Sequence, residues 1–347
     1  GGDGELTTLR ATLRDGNGNL FPAQSLVFFQ VLGDAMPPQG CVFSNNSQRT
    51  TALSNNGVAA VTLESGQLAG GKRLRAYSFR DQAQQDTISD YGQIVVRSGF
   101  PFDIDMSYSS DGWDLGDNNW GINVAALVAD RWGNLAPDNI QLLFEVEPEI
   151  VEISQGSTGN RNHDGEFFPG MAFATLTYSS SRTFDTVEIM TTVETQDGRI
   201  SGNMDLLMPL QNGSMTADAN VANWRFEEGQ ENASIELWAT LYDGHDVPID
   251  HGQVVFSTDV GHLRWFNVET EEYEELNRSH AVRLTGLNDP ENEEEPGRAT
   301  IFFQAVAEEI FQDPEDVQQR IFIDVRLDNY DDIQVGPLEI LFTRVIE

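Results

Sequence analysis

Cysteine and lysine are almost missing from this chain: its 347 residues include one of each, Cys41 and Lys72. A lone cysteine cannot staple its own chain, so stability has to come from burial, metal or assembly. No apolar run approaches the roughly 20 residues of a membrane-spanning helix, and no stretch reads as a secretory leader. Basic residues are scarce, 20 Lys+Arg against 56 Asp+Glu, which gives a net charge of −36 and a pI near 4.2. Nucleic acid and anionic membrane surfaces are therefore poor partners, because a phosphate lattice needs clustered cations to displace its counterions. Catalytic signatures are absent too: there is no G-x-S-x-G elbow, H-E-x-x-H, P-loop, Rossmann glycine motif or C-x-x-C. The chain therefore reads as a protein that is not an enzyme. Helical periodicity is confined to a short region, Ala305 to Val317, read as a loop or a brief helix.

What is present in quantity is acid, arginine and turn residues. The acidic excess reads as running along the whole chain. That suits life in salt, since at about 1 M the Debye length falls to roughly 3 Å and self-repulsion is screened. The 31 glycines and 13 prolines suit a turn-rich fold, and the length suggests two or three domains.

One pattern occurs three times. An alternating strand ends in Asp, followed by a polar turn and Pro: Leu9 to Asp15 with Pro22, Val124 to Asp130 with Pro137, and Leu237 to Asp243 with Pro248. The aspartates are 115 and 113 residues apart. Before each Asp, alternate positions are apolar: Leu9, Ala11, Leu13; Val124, Ala126, Val128; Leu237, Ala239, Leu241. Period 2 places each trio on one face of a strand. Further on, a glycine opens a second alternating strand in each copy: Gly57 with Ala59, Val61, Leu63; Gly170 with Ala172, Ala174, Leu176; Gly297 with Ala299, Ile301, Phe303. The third copy carries an acidic insertion, Asn288 to Pro296. About seven short strands per roughly 110 residues is the profile of an immunoglobulin-like β-sandwich. The expected architecture is therefore all-β, three tandem immunoglobulin-like sandwiches over residues 1–99, 100–211 and 212–347, arranged as an elongated rod on the order of 100 Å long.

These anchors resemble the bacterial immunoglobulin-like domains of the invasin and intimin type. That family shows an alternating strand ending in D-x-x-G-N, a Val/Pro turn, an apolar V-x-F strand and later a G-x-A-x-V-x-L strand. Asp15 to Pro22 with Gly57 to Leu63 matches best. The third copy departs most, its turn being two residues shorter and lacking Gly-Asn. The resemblance implies an extracellular or bacterial cell-surface protein, while leaving stalk, adhesin arm, spacer and filament part all open as functions.

The richest candidate site is the segment Asp111 to Trp120, read as an interdomain loop. It offers Asp111, Asp114, Asp117 and Asn118 as hard oxygen ligands for Ca²⁺, and Trp113 and Trp120 as exposed rings for stacking against a sugar. His245, His251, His262 and His280 share the third copy but match no zinc spacing. Protein partners are expected through edge strands, with the first strand, Leu6 to Asp15, and the last, Leu338 to Val345, as assembly elements of a homo-oligomer or filament. The alternative is a glycan- or receptor-binding module that presents residues 111–120. Gly1-Gly2-Asp3-Gly4 is the kind of start that follows a lipidated cysteine, so an N-terminal lipid anchor in the outer membrane is a further expectation.

Overall fold

The computed structural model describes residues 4–80, 85–196, 198–267, 270–286, 295–313 and 315–345. Its strands fall into three groups. The first holds β1 (Leu6–Thr12), β2 (Leu26–Leu32), β3 (Val42–Phe43), β4 (Arg49–Leu53), β5 (Val58–Glu64), β6 (Gly70–Phe79) and β7 (Thr87–Val96). The second holds β8 (Asp103–Gly116), β9 (Asn119–Ala129), β10 (Gln141–Glu147), β11 (Glu152–Ile153), β12 (Gly156–Ser157), β13 (Met171–Ser179), β14 (Thr186–Thr195) and β15 (Gly198–Leu207). The third holds β16 (Ser214–Ala219), β17 (Asn223–Phe226), β18 (Asn232–Tyr242), β19 (Gln253–Thr258), β20 (His262–Asn267), β21 (Glu272–Leu276), β22 (Ala281–Leu284), β23 (Arg298–Val306), the four-residue helix α1 (Ala307–Ile310), β24 (Gln318–Leu327) and β25 (Gln334–Arg344). Among the described residues no helix is long and apolar enough to cross a membrane.

Each group is a sandwich of two sheets, and the strand orders superpose. One sheet runs β1-β5-β3, β8-β9-β13-β11 and β16-β18-β23-β20-β21; the other runs β4-β2-β6-β7, β12-β10-β14-β15 and β22-β19-β24-β25-β17. The Asp-ended strand of each repeat (β1, β9, β18) pairs antiparallel with the Gly-opened strand (β5, β13, β23). Alternation does the rest: Val124, Ala126, Val128 and Leu237, Ala239, Leu241 are all 0% exposed.

The repeated residues have a backbone reason. Gly57, Gly170 and Gly297 lie at φ of +76°, +73° and +75°, where L side chains are strained. Each offers its carbonyl to the strand beside it, at 2.7 Å to Leu13 N, 3.0 Å to Val128 N and 2.9 Å to Leu241 N. The aspartates close their turns alike. Asp15 Oδ1 accepts the N–H groups of Asn17 and Asn19, Asp130 Oδ1 those of Trp132 and Asn134, and Asp243 Oδ1 those of His245 and Val247. The third turn is not a shortened variant up to this point. Asp246, at φ +58°, takes the left-handed position held by Gly18 and Gly133, because Asp tolerates it.

Several expectations change. The segment Asp111 to Trp120 is a β-hairpin rather than a loop: Asp117 and Asn118, at φ +52° and +59°, form the two-residue turn between β8 and β9. The last strand is not a free edge, since β24 pairs along one side of β25 and β17 covers Leu341–Arg344 on the other. The acid is not evenly distributed: residues 1–99 contain 8 acidic and 8 basic residues, so the entire −36 resides in the second and third sandwiches. The acidic insertion lies outside the described residues apart from Glu295 and Pro296.

Candidate functional site at the domain junctions

The turn aspartates carry a second oxygen each, and in two of three repeats it reaches the preceding sandwich. At the first junction Asp130 Oδ2 accepts the Gly99 N–H at 2.7 Å, just before the second sandwich begins. Asn134, four residues on, accepts the Ala69 N–H at 2.9 Å and donates to the Gln67 carbonyl at 2.7 Å. The Trp132 ring lies against Gly99, where a Cβ would meet it at 3.3 Å. Asp130 is only 3% exposed. Burial opposes its ionisation, but hydrogen bonds from the Asn134 side chain and the Gly99, Asn134 and Trp132 N–H groups outweigh that and hold its carboxyl below the usual carboxylate range.

At the second junction Asp243 Oδ2 accepts the indole N–H of Trp120 at 3.0 Å, from a tryptophan on the previous sandwich. His245 occupies the turn position held by Trp132 in the repeat before, and stacks on Trp120 with ring centroids 4.2 Å apart. The His245 Nε2 lies 2.9 Å from Asp114 Oδ1 and its Nδ1 lies 3.2 Å from Ser180 Oγ. The linker is held as well. Gln211 accepts from Gly112 N and donates to the Ser110 carbonyl and Tyr178 Oη, while Gly244 N donates to the Gln211 carbonyl. Leu210 belongs to the third sandwich's core and its N–H donates to Tyr330 Oη. Burial drives the Tyr178 hydroxyl far above its ordinary range, so it acts only as a neutral hydrogen-bonding group.

The structure scatters most of the predicted site. Trp120 is 2% exposed, filled in between the sandwiches, so its ring offers no face to a sugar. Trp113 stacks flat on His163 at 3.8 Å and lies against Gly121. The proposed ion ligands are strung along the hairpin: Asp111 sits on β8, Asp114 accepts from Gly116 N and meets His245, and Asp117 and Asn118 form the turn. At about 3.3 Å per residue, an extended strand sets Asp111 roughly 15–20 Å from the turn. Among the described residues no group of three or more His, Cys, Asp or Glu is placed to hold a metal ion. What the hairpin does bring together is Asp114 and Trp120, on the third sandwich's His245 and Asp243. The Gly116 N–H and then His245 hold the Asp114 carboxyl below its usual range.

Asp114, His245 and Ser180 are the residue types of a hydrolase triad, but Ser180 is 2% exposed. Its hydroxyl is engaged by Trp120 Nε1 and the Asn118 carbonyl. A buried, fully partnered hydroxyl cannot meet a substrate, so the three act as a joint. Sequence reasoning missed Ser180 and Gln211, and weighed His245 only as a zinc ligand. For His245 the one available signal was positional: in the second and third turns the residue two after Asp is a ring, Trp132 and then His245, where the first turn has Asn17.

No family model matches the chain, and no curated protein matches it. Among solved structures it is similar to invasin, described as a bacterial integrin-binding protein, at 12% identity and a TM-score of 0.32, over 98% of this chain and 60% of that one. It is similar also to the D0–D1 domains of intimin, at 16% identity and a TM-score of 0.23, over 70% of this chain and 98% of that one. The Yersinia pseudotuberculosis adhesin InvE gives 12% identity and a TM-score of 0.32, over 64% of this chain and 54% of that one. The chain resembles tandem bacterial immunoglobulin-like domains of the invasin and intimin type. The strand orders above carry the immunoglobulin-like assignment. The chain spans about 60% of the length of the invasin structure it matches.

Proposed function

We propose that this chain is a non-enzymatic arm of a bacterial surface protein, a stalk or adhesin arm that holds its ends apart at fixed spacing. The observation that supports this reading is the doubling of one device. In the second and third repeats, the aspartate that closes the local turn also binds the preceding sandwich, at Gly99 and at Trp120. Each junction is thus tied by the same side chain that shapes the domain, so bending there costs buried, charge-assisted hydrogen bonds. The concentration of all net charge in the second and third sandwiches adds repulsion between neighbouring arms and keeps them separate in dilute salt.

Small-angle scattering with in-line light scattering at low salt, at about 1 M salt and with millimolar Ca²⁺ tests the reading. This range takes the Debye length from above 10 Å to about 3 Å. An extended particle of constant length in all three conditions supports a fixed arm. A profile that collapses or becomes flexible as charge is screened would show that repulsion, rather than the junctions, keeps the domains in line, and the stalk reading would fail.

A further inference from the structure

The first sandwich departs from the rest of the chain in charge, and the departure is concentrated on one face. Along β2 the core takes Val27, Phe29 and Val31, so Phe28 and Gln30 point outward. The ladder carries that outward side across the sheet: Arg49, Gln30, Arg75 and Tyr91 lie in one row, and Phe28, Tyr77 and Ser89 in the next. Arg73 is outward on β6, two residues before Arg75. No outward position of β2, β4, β6 or β7 holds Asp or Glu, in a chain with 56 of them. Among the described residues Arg49, Arg73 and Arg75 form no ion pair, whereas Arg80, just past β6, pairs with Asp86 at 3.6 Å.

Rings set these arginines in place. Arg75 lies over Tyr77 at 4.7 Å from its centroid and Arg73 over Tyr91 at 4.9 Å, while Phe28 stacks on Tyr77 at 4.9 Å. Tyr91 is exposed, as are Leu26 and Leu53 at the far end of the face. Arginine and aromatic rings with no outward acid or lysine is the composition of the core of a protein–protein contact. The equivalent face of the second sandwich is its opposite in charge. Outward positions of β10, β14 and β15 hold Glu145, Glu147, Glu188, Glu194 and Asp205, and the one base among them, Arg199, is paired with Glu194. Glu147, Glu188 and Asp205 stand in one cross-strand row, where like charges side by side cost stability. Leu143, Met190 and Leu207 are exposed on the same face.

We propose that these two faces dock on each other between copies, the first sandwich of one chain against the second sandwich of another. Spacing matches as well as sign. Arg49 and Arg75 are two strands apart, as are Glu147 and Asp205, which is roughly 10 Å in each case at the usual strand spacing. A guanidinium can take a carboxylate with two parallel hydrogen bonds, so each arginine gains the partner it lacks within its own chain. An uncharged first sandwich opposite an acidic second one also avoids setting two acidic sandwiches in contact. Four strands by about five residues give a footprint of roughly 20 by 17 Å, small among specific interfaces, so the pairing is weak and concentration-dependent. In dilute salt the −36 charge of each copy keeps them apart. At about 0.15 M salt the Debye length is about 8 Å, which screens distant charges far more than groups in contact. Side-by-side pairing goes beyond the stalk reading, which particle length alone tests.

The test is sedimentation velocity of the 347-residue protein at about 0.15 M salt and up to about 0.5 mM chain, a range that reaches weak association. The unaltered chain should pass from monomer to larger species as its concentration rises. Arg49→Glu combined with Arg73→Glu, both at exposed positions, should weaken association by about tenfold or more, and so should Glu147→Arg combined with Asp205→Arg. Circular dichroism melts confirm that each variant is folded. Mixed in equal amounts, the two variants should associate again, because each supplies the face the other has lost. The proposal is overturned if the unaltered chain stays monomeric throughout, since the arginine face then serves a different acidic partner. It is overturned as well if charge reversal leaves association unchanged, or if the mixture fails to restore it.

Discussion

Replacing Trp120 by Phe removes the indole N–H that ties the third sandwich to the second and that also reaches Ser180 Oγ within the second. Phe retains most of the buried volume and the stacking on His245 but loses the indole N–H. Asp243 is 1% exposed, and its Oδ2 receives that N–H at 3.0 Å. The turn N–H groups of His245 and Val247 go to the other oxygen, so Trp120→Phe leaves a buried carboxylate oxygen without its donor. Hydrogen bonds to charged groups contribute about 1.5–3 kcal/mol, which sets the expected destabilisation. Trp120→Ala would add the cavity and cost about 3–5 kcal/mol. Urea titration by circular dichroism reads the loss. A second effect should accompany it: a transition shared by the two sandwiches should split, because the junction no longer couples them. The reasoning is refuted if Trp120→Phe costs less than about 0.5 kcal/mol, the level typical of surface substitutions, for then the bond at the junction contributes nothing.

Acid should loosen the first junction. The Asp130 carboxyl is held below its unfolded value near 3.9, so its contribution is complete above that value and disappears as the pH falls through the lower folded one; Asp130→Asn should flatten this acid limb in a pH series of thermal melts. Lys72, the only lysine, is buried against Asp34 at 2.8 Å, so Lys72→Ala strands a buried carboxylate and should cost about 3–5 kcal/mol by chemical denaturation, confined to the first sandwich. Gly170→Ala forces an L side chain to φ +73° and sets its Cβ 2.8 Å from that of Leu135; a melt should show a loss above about 1 kcal/mol. Chelation should leave thermal stability unchanged, since the carboxylates first considered as calcium ligands are spread along a strand; a drop in melting temperature with EDTA would contradict that placement.

The three-repeat architecture was legible in the chain because its marks are local. Asp130 binds N–H groups two and four residues away, and Gly170 is required by its own φ. Even the third turn, which looks divergent, keeps the geometry because Asp246 tolerates the left-handed region. The hairpin at Asp117-Asn118 carried a local mark as well, two turn-forming residues between strands, obscured by the density of carboxylates around it.

What the sequence by itself determined is therefore the set of strands, the core face of each and the turns between them, since period-2 alternation and backbone conformation depend on near neighbours. The tertiary structure alone decided which groups meet across domains. Trp120 and Asp243 are 123 residues apart, Asn134 and Gln67 are 67 apart, and no local pattern encodes either meeting. Likewise Leu9, Ala11 and Leu13 repeat the pattern of their buried counterparts. Only the packing leaves them half-buried, because burial belongs to the neighbours a residue acquires and not to the residue itself.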